Sequence, residues 1–197
     1  MRATDAAVLI PIRSFDGAKT RLSTVLSPPD RSRLAHAMAE RVVRAARGLP
    51  VHIVTDDREV ARWAATVGAT VIDPAVSGLT ASISAAVASI AAGEHAPDRI
   101  IVAHADLPLA DDLRVVTGPG VAIAPDVHRD GSNVLSLPTD APFTFHYGPG
   151  SFAAHRDEAE RRGLPFTVID DAKLALDIDD PDDLLRLEQA QSRPDRT

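Results

Sequence analysis

The sequence predicts an α/β protein: a Rossmann-like, mostly parallel sheet with helices on both faces. Three observations carry this. Short apolar runs, the signal of buried strands, alternate with helix patterns through the first 125 residues. Such an order implies right-handed crossovers and a parallel sheet. The 197 residues, 45% hydrophobic and 25% charged, have ordinary globular composition. At roughly 150 residues per domain they suggest one domain, here residues 1–191, with 192–197 a disordered tail.

The elements follow in order. Ala7–Ile10 is an apolar run ending at Pro11, followed by a polar loop from Arg13 to Thr20. Ser27-Pro28-Pro29-Asp30 announces a helix, and Leu34, Met38 and Val42 give it one apolar face. Val51–Val54 reads as a strand, Asp57–Val67 as a helix closed by Gly68, and Thr70–Ile72 as a third strand. Leu79–Ala92 is a third helix and Arg99–Ala103 a fourth strand. A short helix around Ala110–Val116 precedes a strand at Val121–Ala124. Beyond this the pattern is mixed. Asn133–Leu137 and Pro142–His146 read as extended, Ser151–Arg162 as a helix, Phe166–Ile169 and Ala175–Ile178 as strands, and Pro181–Gln189 as the last helix.

Composition excludes several classes. No cysteine is present, so there is no disulfide scaffold, thiolate zinc site or cysteine nucleophile. The net charge of −7 argues against a nucleic-acid binder. Residues 1–62 hold 11 Lys and Arg against 7 Asp and Glu, and the remainder is strongly acidic. That asymmetry suits an anionic ligand with bridging cations, or is simply uneven surface charge. No leader is visible, and Ala81–Ala92 is too short and Ser-rich to span a bilayer. The expectation is a soluble cytoplasmic protein. A homodimer is neither indicated nor excluded.

In a sheet of this kind the ligand sits at the carboxyl ends of the strands. The first such loop carries Arg13, Lys19 and Arg21; Lys19 is one of only two lysines. It is not a Walker A loop, yet Lys19 and Arg21 suit a triphosphate and a leaving pyrophosphate. A solvated surface loop fits equally. Asp106 follows directly from a buried strand, where a hard divalent cation or a helix cap would use it. Asp177 and Asp179, if extended, project from one face and can share a metal with Asp106. Asp180 is better explained as an N-cap before Pro181, and Asp182 and Asp183 suit the positive end of that helix. Gly148, Gly150 and Ser151 lead into a helix start, an anion site or a plain turn. His155, one turn on, either faces the same ligand or is structural. No Ser-His-Asp arrangement or covalent intermediate is indicated.

Taken in order, these residues resemble a family. Ile10-Pro11-Ile12-Arg13 with Ala18-Lys19-Thr20-Arg21-Leu22, Asp73 to Leu79, Ala105-Asp106-Leu107-Pro108, and Asp126 to Asn133 are followed by Gly148-Pro149-Gly150-Ser151-Phe152, His155 and Leu176-Asp177-Ile178-Asp179. The order resembles that of the phosphoenolpyruvate and 2-phospho-L-lactate guanylyltransferases of deazaflavin coenzyme biosynthesis, from about residue 6 to 190. The resemblance implies a GT-A-type nucleotidyltransferase fold and transfer of GMP from GTP to a three-carbon phospho-acid, with release of pyrophosphate. It implies Mg²⁺ on Asp106, Asp177 and Asp179. GTP would lie against Pro11, Arg13, Lys19, Arg21, Gly78, Leu79 and Thr80. Ser132, Gly148 and Ser151 would hold the phospho-acid, with Asn133 and His155 counted to the same site. Lys19, Arg21 and Asp106 would be catalytic.

Three positions depart from the family pattern. Arg13 stands where Lys is usual and keeps the charge; Ser132 stands for Thr and keeps the hydroxyl. Thr80 stands for Asn and replaces an amide able to read a base edge. An ionised phosphate acceptor needs no strong general base, which agrees with aspartates and a cationic loop without a nucleophile. Two alternatives stand beside this reading: a nucleotidyltransferase for a molybdopterin or sugar-phosphate acceptor, and a silent nucleotide-binding module. The acceptor itself is phosphoenolpyruvate, 2-phospho-L-lactate or 3-phosphoglycerate. The Arg-rich, Lys-poor composition suggests an actinobacterial source and hence phosphoenolpyruvate.

Overall fold

The computed structural model describes residues 5–192. Its strands are β1 (Ala6–Pro11), β2 (Val51–Val54), β3 (Thr70–Ile72), β4 (Arg99–Ala103), β5 (Val121–Pro125), β6 (Ser132–Pro138) and β7 (Phe166–Val168). Its helices are α1 (Pro28–Ala45), α2 (Arg58–Thr66), α3 (Leu79–Ala91), α4 (Ser151–Arg161), α5 (Ala172–Ala175) and α6 (Pro181–Ser192). Short 3-10 turns lie at Thr20–Thr24 and Leu113–Val115. The second replaces the helix expected around Ala110–Val116. Ser192, placed in the expected tail, ends α6; residues 193–197 lie outside the described residues.

The helix starts are written in local chemistry. The Ser27 hydroxyl caps α1 with Pro28 in its first turn. Asp57 accepts from the amides of Glu59 and Val60 at 2.8 and 2.9 Å and starts α2. Each such cap contributes about 1 kcal/mol.

One seven-stranded sheet runs in the order β3-β2-β1-β4-β6-β5-β7. The strands are apolar on both faces because both faces are covered. Val8, Ile10, Ile53 and Ile101 meet α1 and α2 through Ala39, Val42 and Val60. Leu9, Ile100, Val102, Ile123 and Leu135 face the other way and meet Ile83 of α3 and Ala159 of α4. A third cluster of Leu22, Met38, Leu176 and Ile178 locks the first loop to the segment before α6.

All strand pairs are parallel except those of β6, which runs against both β4 and β5. The reversal comes just where the alternation of strand and helix ends. Residues 126–131, which join β5 to β6, are far too few for a parallel crossover. Asp126 folds this turn by accepting from the amides of His128, Asp130 and Gly131 at 3.1, 2.9 and 3.0 Å. At its start β6 carries a β-bulge: Ala124 opposes Val134 but Pro125 opposes Ser132, so Asn133 is an extra residue.

Two expected strands are not strands. Pro142–His146 joins no ladder; instead α4 side chains take its amides. Glu158 accepts from Thr144 at 3.1 Å, and His155 accepts from His146 at 2.9 Å. Ala175–Ile178 joins no ladder either: Ala175 ends the short α5, started by Asp171, and Leu176–Ile178 is irregular. A backbone bond ties it to the loop after β4, the Ile178 amide donating to the Asp106 carbonyl at 3.2 Å.

Candidate active site

In the strand order, β1 and β4 are neighbours whose next strands lie on opposite sides, the switch point at which open α/β sheets bind ligands. The loops leaving β1 and β4 line a cleft of about 780 Å³, bordered by Leu79 of α3 and by Asp179. Pro11, Arg13, Lys19 and Arg21 lie along it. Lys19 takes a left-handed conformation (φ 55°) that turns its side chain out of the loop into a carboxylate cluster. Its Nζ lies 2.6 Å from Asp106 Oδ2 and 3.0 Å from Asp179 Oδ1. Arg21 stands 3.6 Å from Asp179 and is otherwise mostly in solvent. Arg13 makes no ion pair among the described residues, so its charge faces the cleft unspent.

The loop is held from behind. Arg31, on the first turns of α1, donates to the carbonyls of Ala18 at 3.3 Å and Leu26 at 3.0 Å. These bonds bracket Lys19 and Arg21. Nothing in the sequence separates Arg31 from the other arginines of α1, so the sequence does not announce this role.

Asp106, Asp177 and Asp179 each bring one carboxylate oxygen within 4.8 Å of the others. Asp106 is divided: Oδ2 holds Lys19, whereas Oδ1 is buried with no hydrogen-bond partner. An orphaned buried carboxylate oxygen in a group of three carboxylates is what a hard divalent cation satisfies, so the residues fit one. Burial, and then the Asp106 charge, push the Asp177 carboxyl up to about 6. Burial works in the same direction on Asp106, but Lys19 and then His104 offset it and hold that carboxyl below the usual range. Burial alone would lower the Lys19 ammonium; Asp106 and Asp179 together lift it above the ordinary lysine value.

The rest of the acidic run is structural, as its sequence suggests. Asp180 accepts from the amides of Asp182 and Asp183 at 2.9 and 3.2 Å. Asp183 reaches back to the amides of Asp179 and Asp180 at 2.9 and 3.1 Å, a reciprocal cap.

Beside this cluster lies a second polar group. Ser132 Oγ stands 2.9 Å from His155 Nδ1 and 3.4 Å from Ser151 Oγ. The Gly148–Ser151 turn is drawn in by Asp130, which accepts from the Gly150 amide at 3.1 Å and, through its carbonyl, from the Phe152 amide at 3.0 Å. Gly148 (φ 131°) and Gly150 (φ 73°) need the glycine-favoured region to make this turn. Ser132, Gly148 and Ser151 are thus brought together.

Four expected ligand contacts are placed otherwise. His155 is fully buried behind Ser132, walled by Phe143, Phe145 and Tyr147, so it reaches a ligand only through the serine. The bulge turns Asn133 away from the side that Ser132 faces. Its Nδ2 lies 3.0 Å from the carbonyls of Leu174 and Ala175 and 3.4 Å from Asp177 Oδ1. Thr80 accepts from the Tyr147 amide at 3.0 Å, which ties α3 to the glycine turn and occupies the hydroxyl. Gly78 is the positive-φ residue that opens α3 and does not line the cleft. The sequence gives no cue to His104 and Tyr147, whose rings meet at 5.6 Å between the two groups. Their Nε2 and hydroxyl atoms are buried without partners.

Known proteins resemble this chain in sequence and in fold. Residues 6–189 match the family model described as "Guanylyl transferase CofC like". The phosphoenolpyruvate guanylyltransferase of Rubrobacter xylanophilus is 35% identical over 95% of this chain and 97% of its own. The 2-phospho-L-lactate guanylyltransferase of Methanocaldococcus jannaschii is 31% identical over 90% of this chain and 80% of its own. Among solved structures, a Desulfovibrio desulfuricans protein assigned to the nucleotide-diphospho-sugar transferases superposes with a TM-score of 0.79 at 14% identity, over 98% of this chain and 90% of that one. That likeness establishes the nucleotidyltransferase fold. No helix among the described residues is long and apolar enough to cross a membrane. With a matched model running from β1 into α6 and two relatives above 30% identity, the chain belongs to the CofC-like guanylyltransferase family.

Proposed function

We propose that the protein transfers GMP from GTP to a three-carbon phospho-acid, phosphoenolpyruvate or 2-phospho-L-lactate, and releases pyrophosphate. This is the step the family contributes to deazaflavin coenzyme assembly, with both substrates found in the cytoplasm. The observation that carries it is the divided carboxylate of Asp106. One oxygen holds the cation of the first loop, the other is buried without a partner, and the carboxylate lies in one group with Asp177 and Asp179.

The chain's own groups account for most of the chemistry. Arg13, Lys19 and Arg21 line the cleft and are suited to a triphosphate. Ser132, Ser151 and the Gly148 turn receive the phospho-acid. Its phosphate is already ionised at neutral pH, so an oxygen attacks the α-phosphorus without a general base. A new P–O bond forms, the α–β bridge breaks, and the electron pair leaves on pyrophosphate. Lys19 and Arg21 neutralise that leaving charge. Mg²⁺ held by Asp106, Asp177 and Asp179 would supply further charge neutralisation for phosphate oxygens.

The test is pyrophosphate release from GTP and Mg²⁺ with phosphoenolpyruvate, 2-phospho-L-lactate or 3-phosphoglycerate, with ATP and CTP as controls. Release with GTP and one acid is expected. No release with any acid, from folded protein that binds GTP, overturns the acceptor class.

A further inference from the structure

His155 is too deeply buried to touch a ligand, yet it lies in an ordered chain of hydrogen bonds that ends at the acceptor site. The His146 amide can only donate, and it points at His155 Nε2 from 2.9 Å. Nε2 must therefore be the bare, accepting nitrogen, and in a neutral ring the proton is then on Nδ1. Burial among three aromatic rings keeps the ring neutral, aided by the neighbouring His146 and His104. Nδ1–H in turn meets Ser132 Oγ at 2.9 Å. Ser151 donates to the same oxygen from 3.4 Å. Both lone pairs of Ser132 Oγ are then taken, and its remaining direction is its own O–H.

We propose that His155 is a positioning residue whose tautomer, set by the His146 amide, commits Ser132 to donate its hydroxyl hydrogen to the acceptor molecule. A committed donor selects an acceptor-only partner. A carboxylate or phosphate oxygen satisfies it, whereas a hydroxyl or amine meets it less well. The same residue thus narrows the acceptor to an anion without bringing a positive charge into the pocket. This rests on the reading that Ser132 holds the phospho-acid.

Two substitutions separate the nitrogens. In His155→Asn the amide nitrogen replaces Nδ1 and still donates to Ser132, but the bond to His146 is lost. In His155→Gln the side-chain oxygen replaces Nε2 and keeps His146, but the donor to Ser132 is lost. The expected result is an acceptor KM about ten- to a hundredfold higher in H155Q. In H155N that KM stays within about threefold of wild type, and the KM for GTP is little changed in both. A purely structural role, anchoring the 142–147 segment, predicts the reverse order and would overturn the proposal.

If neither variant folds, the wild-type protein decides. Long-range ¹⁵N–¹H spectra report the tautomer of His155, assigned through its ring contacts with Phe143 and Tyr147. Nδ1–H is expected, and Nε2–H overturns the proposal. Should wild-type enzyme accept none of the three acids, the acceptor reading falls by itself, and the tautomer spectrum still tests the hydrogen-bond chain.

Discussion

Ser132 and Asn133 are adjacent on β6 yet serve opposite faces of the sheet. Ser132 meets His155 of α4 on one side, and Asn133 meets the carbonyls of Leu174 and Ala175 on the other. Simple alternation from Leu135 and Leu137, which face α4, would send Asn133 toward α4 and Ser132 away from it. The bulge reverses both assignments. A single extra residue therefore lets one strand end support the Ser132–Ser151 group and the carboxylate cluster at once.

Asn133→Ala should act on the carboxylate cluster and not on the acceptor. The variant frees two carbonyls and one contact to Asp177, so the segment carrying Asp177 loosens. Mn²⁺ affinity, read by paramagnetic resonance, should fall about 10- to 100-fold. Acceptor KM measured at saturating metal should move by less. Unaltered Mn²⁺ binding would refute the assignment of Asn133.

Arg31→Met should raise the KM for GTP about tenfold, because the loop carrying Lys19 and Arg21 loses both of its ties to α1. Mn²⁺ binding to the carboxylates should change little. A variant with wild-type GTP kinetics would show that the loop is held by its other contacts, chiefly Leu22 in its apolar cluster.

Asp177→Asn should lower turnover by about a thousandfold or more and leave the fold intact. It should also melt no lower than wild type. The Asp177 carboxyl is pushed up to about 6 by burial and by Asp106, so its charge costs stability at neutral pH. An amide removes that cost, a gain on the order of 1–2 kcal/mol. Full activity, or a clear drop in melting temperature, would contradict this account.

Acid should destabilise the protein through His155. Its folded-state pKa is lowered to about 3 from an ordinary 6.5, first by burial and then by His146 and His104. Ser132 and Tyr147 also face it, and Glu158 lies one turn further along α4. Because the folded value is depressed, the unfolded chain binds the proton first. The stabilisation is complete above pH 6.5 and is lost as pH falls toward 3, at up to about 1.4 kcal/mol per pH unit. Urea unfolding of wild type and H155N between pH 7 and pH 4 should show their difference shrinking with acidity. A constant difference would exclude His155 as the titrating group.

What the sequence discloses follows a physical division. Caps and apolar runs are local, so Ser27, Asp57 and Asp180 mark their helices and the strands fall close to where they are expected. Asp106, Asp177 and Asp179 do converge, although not by the route foreseen, since Asp177 and Asp179 lie on an irregular segment after α5 and not on a strand. Register is not local. The bulge at Asn133, the burial of His155 and the capture of the Thr80 hydroxyl by Tyr147 all depend on partners distant in sequence. The reversal of β6 was legible in the short 126–131 connection, which outweighs any pattern of alternation.

The bond from Lys19 to Asp179 spans 160 positions. Among the described residues the last strand ends at Val168, before Asp177 and Asp179 in the chain. The cationic loop is therefore synthesised well before the two carboxylates that complete the cluster. A chain cut between Val168 and Asp177 would keep the residues of all seven described strands and the cationic loop yet lose two of the three clustered carboxylates, so damage to that short segment disarms the cluster while sparing the sheet's sequence.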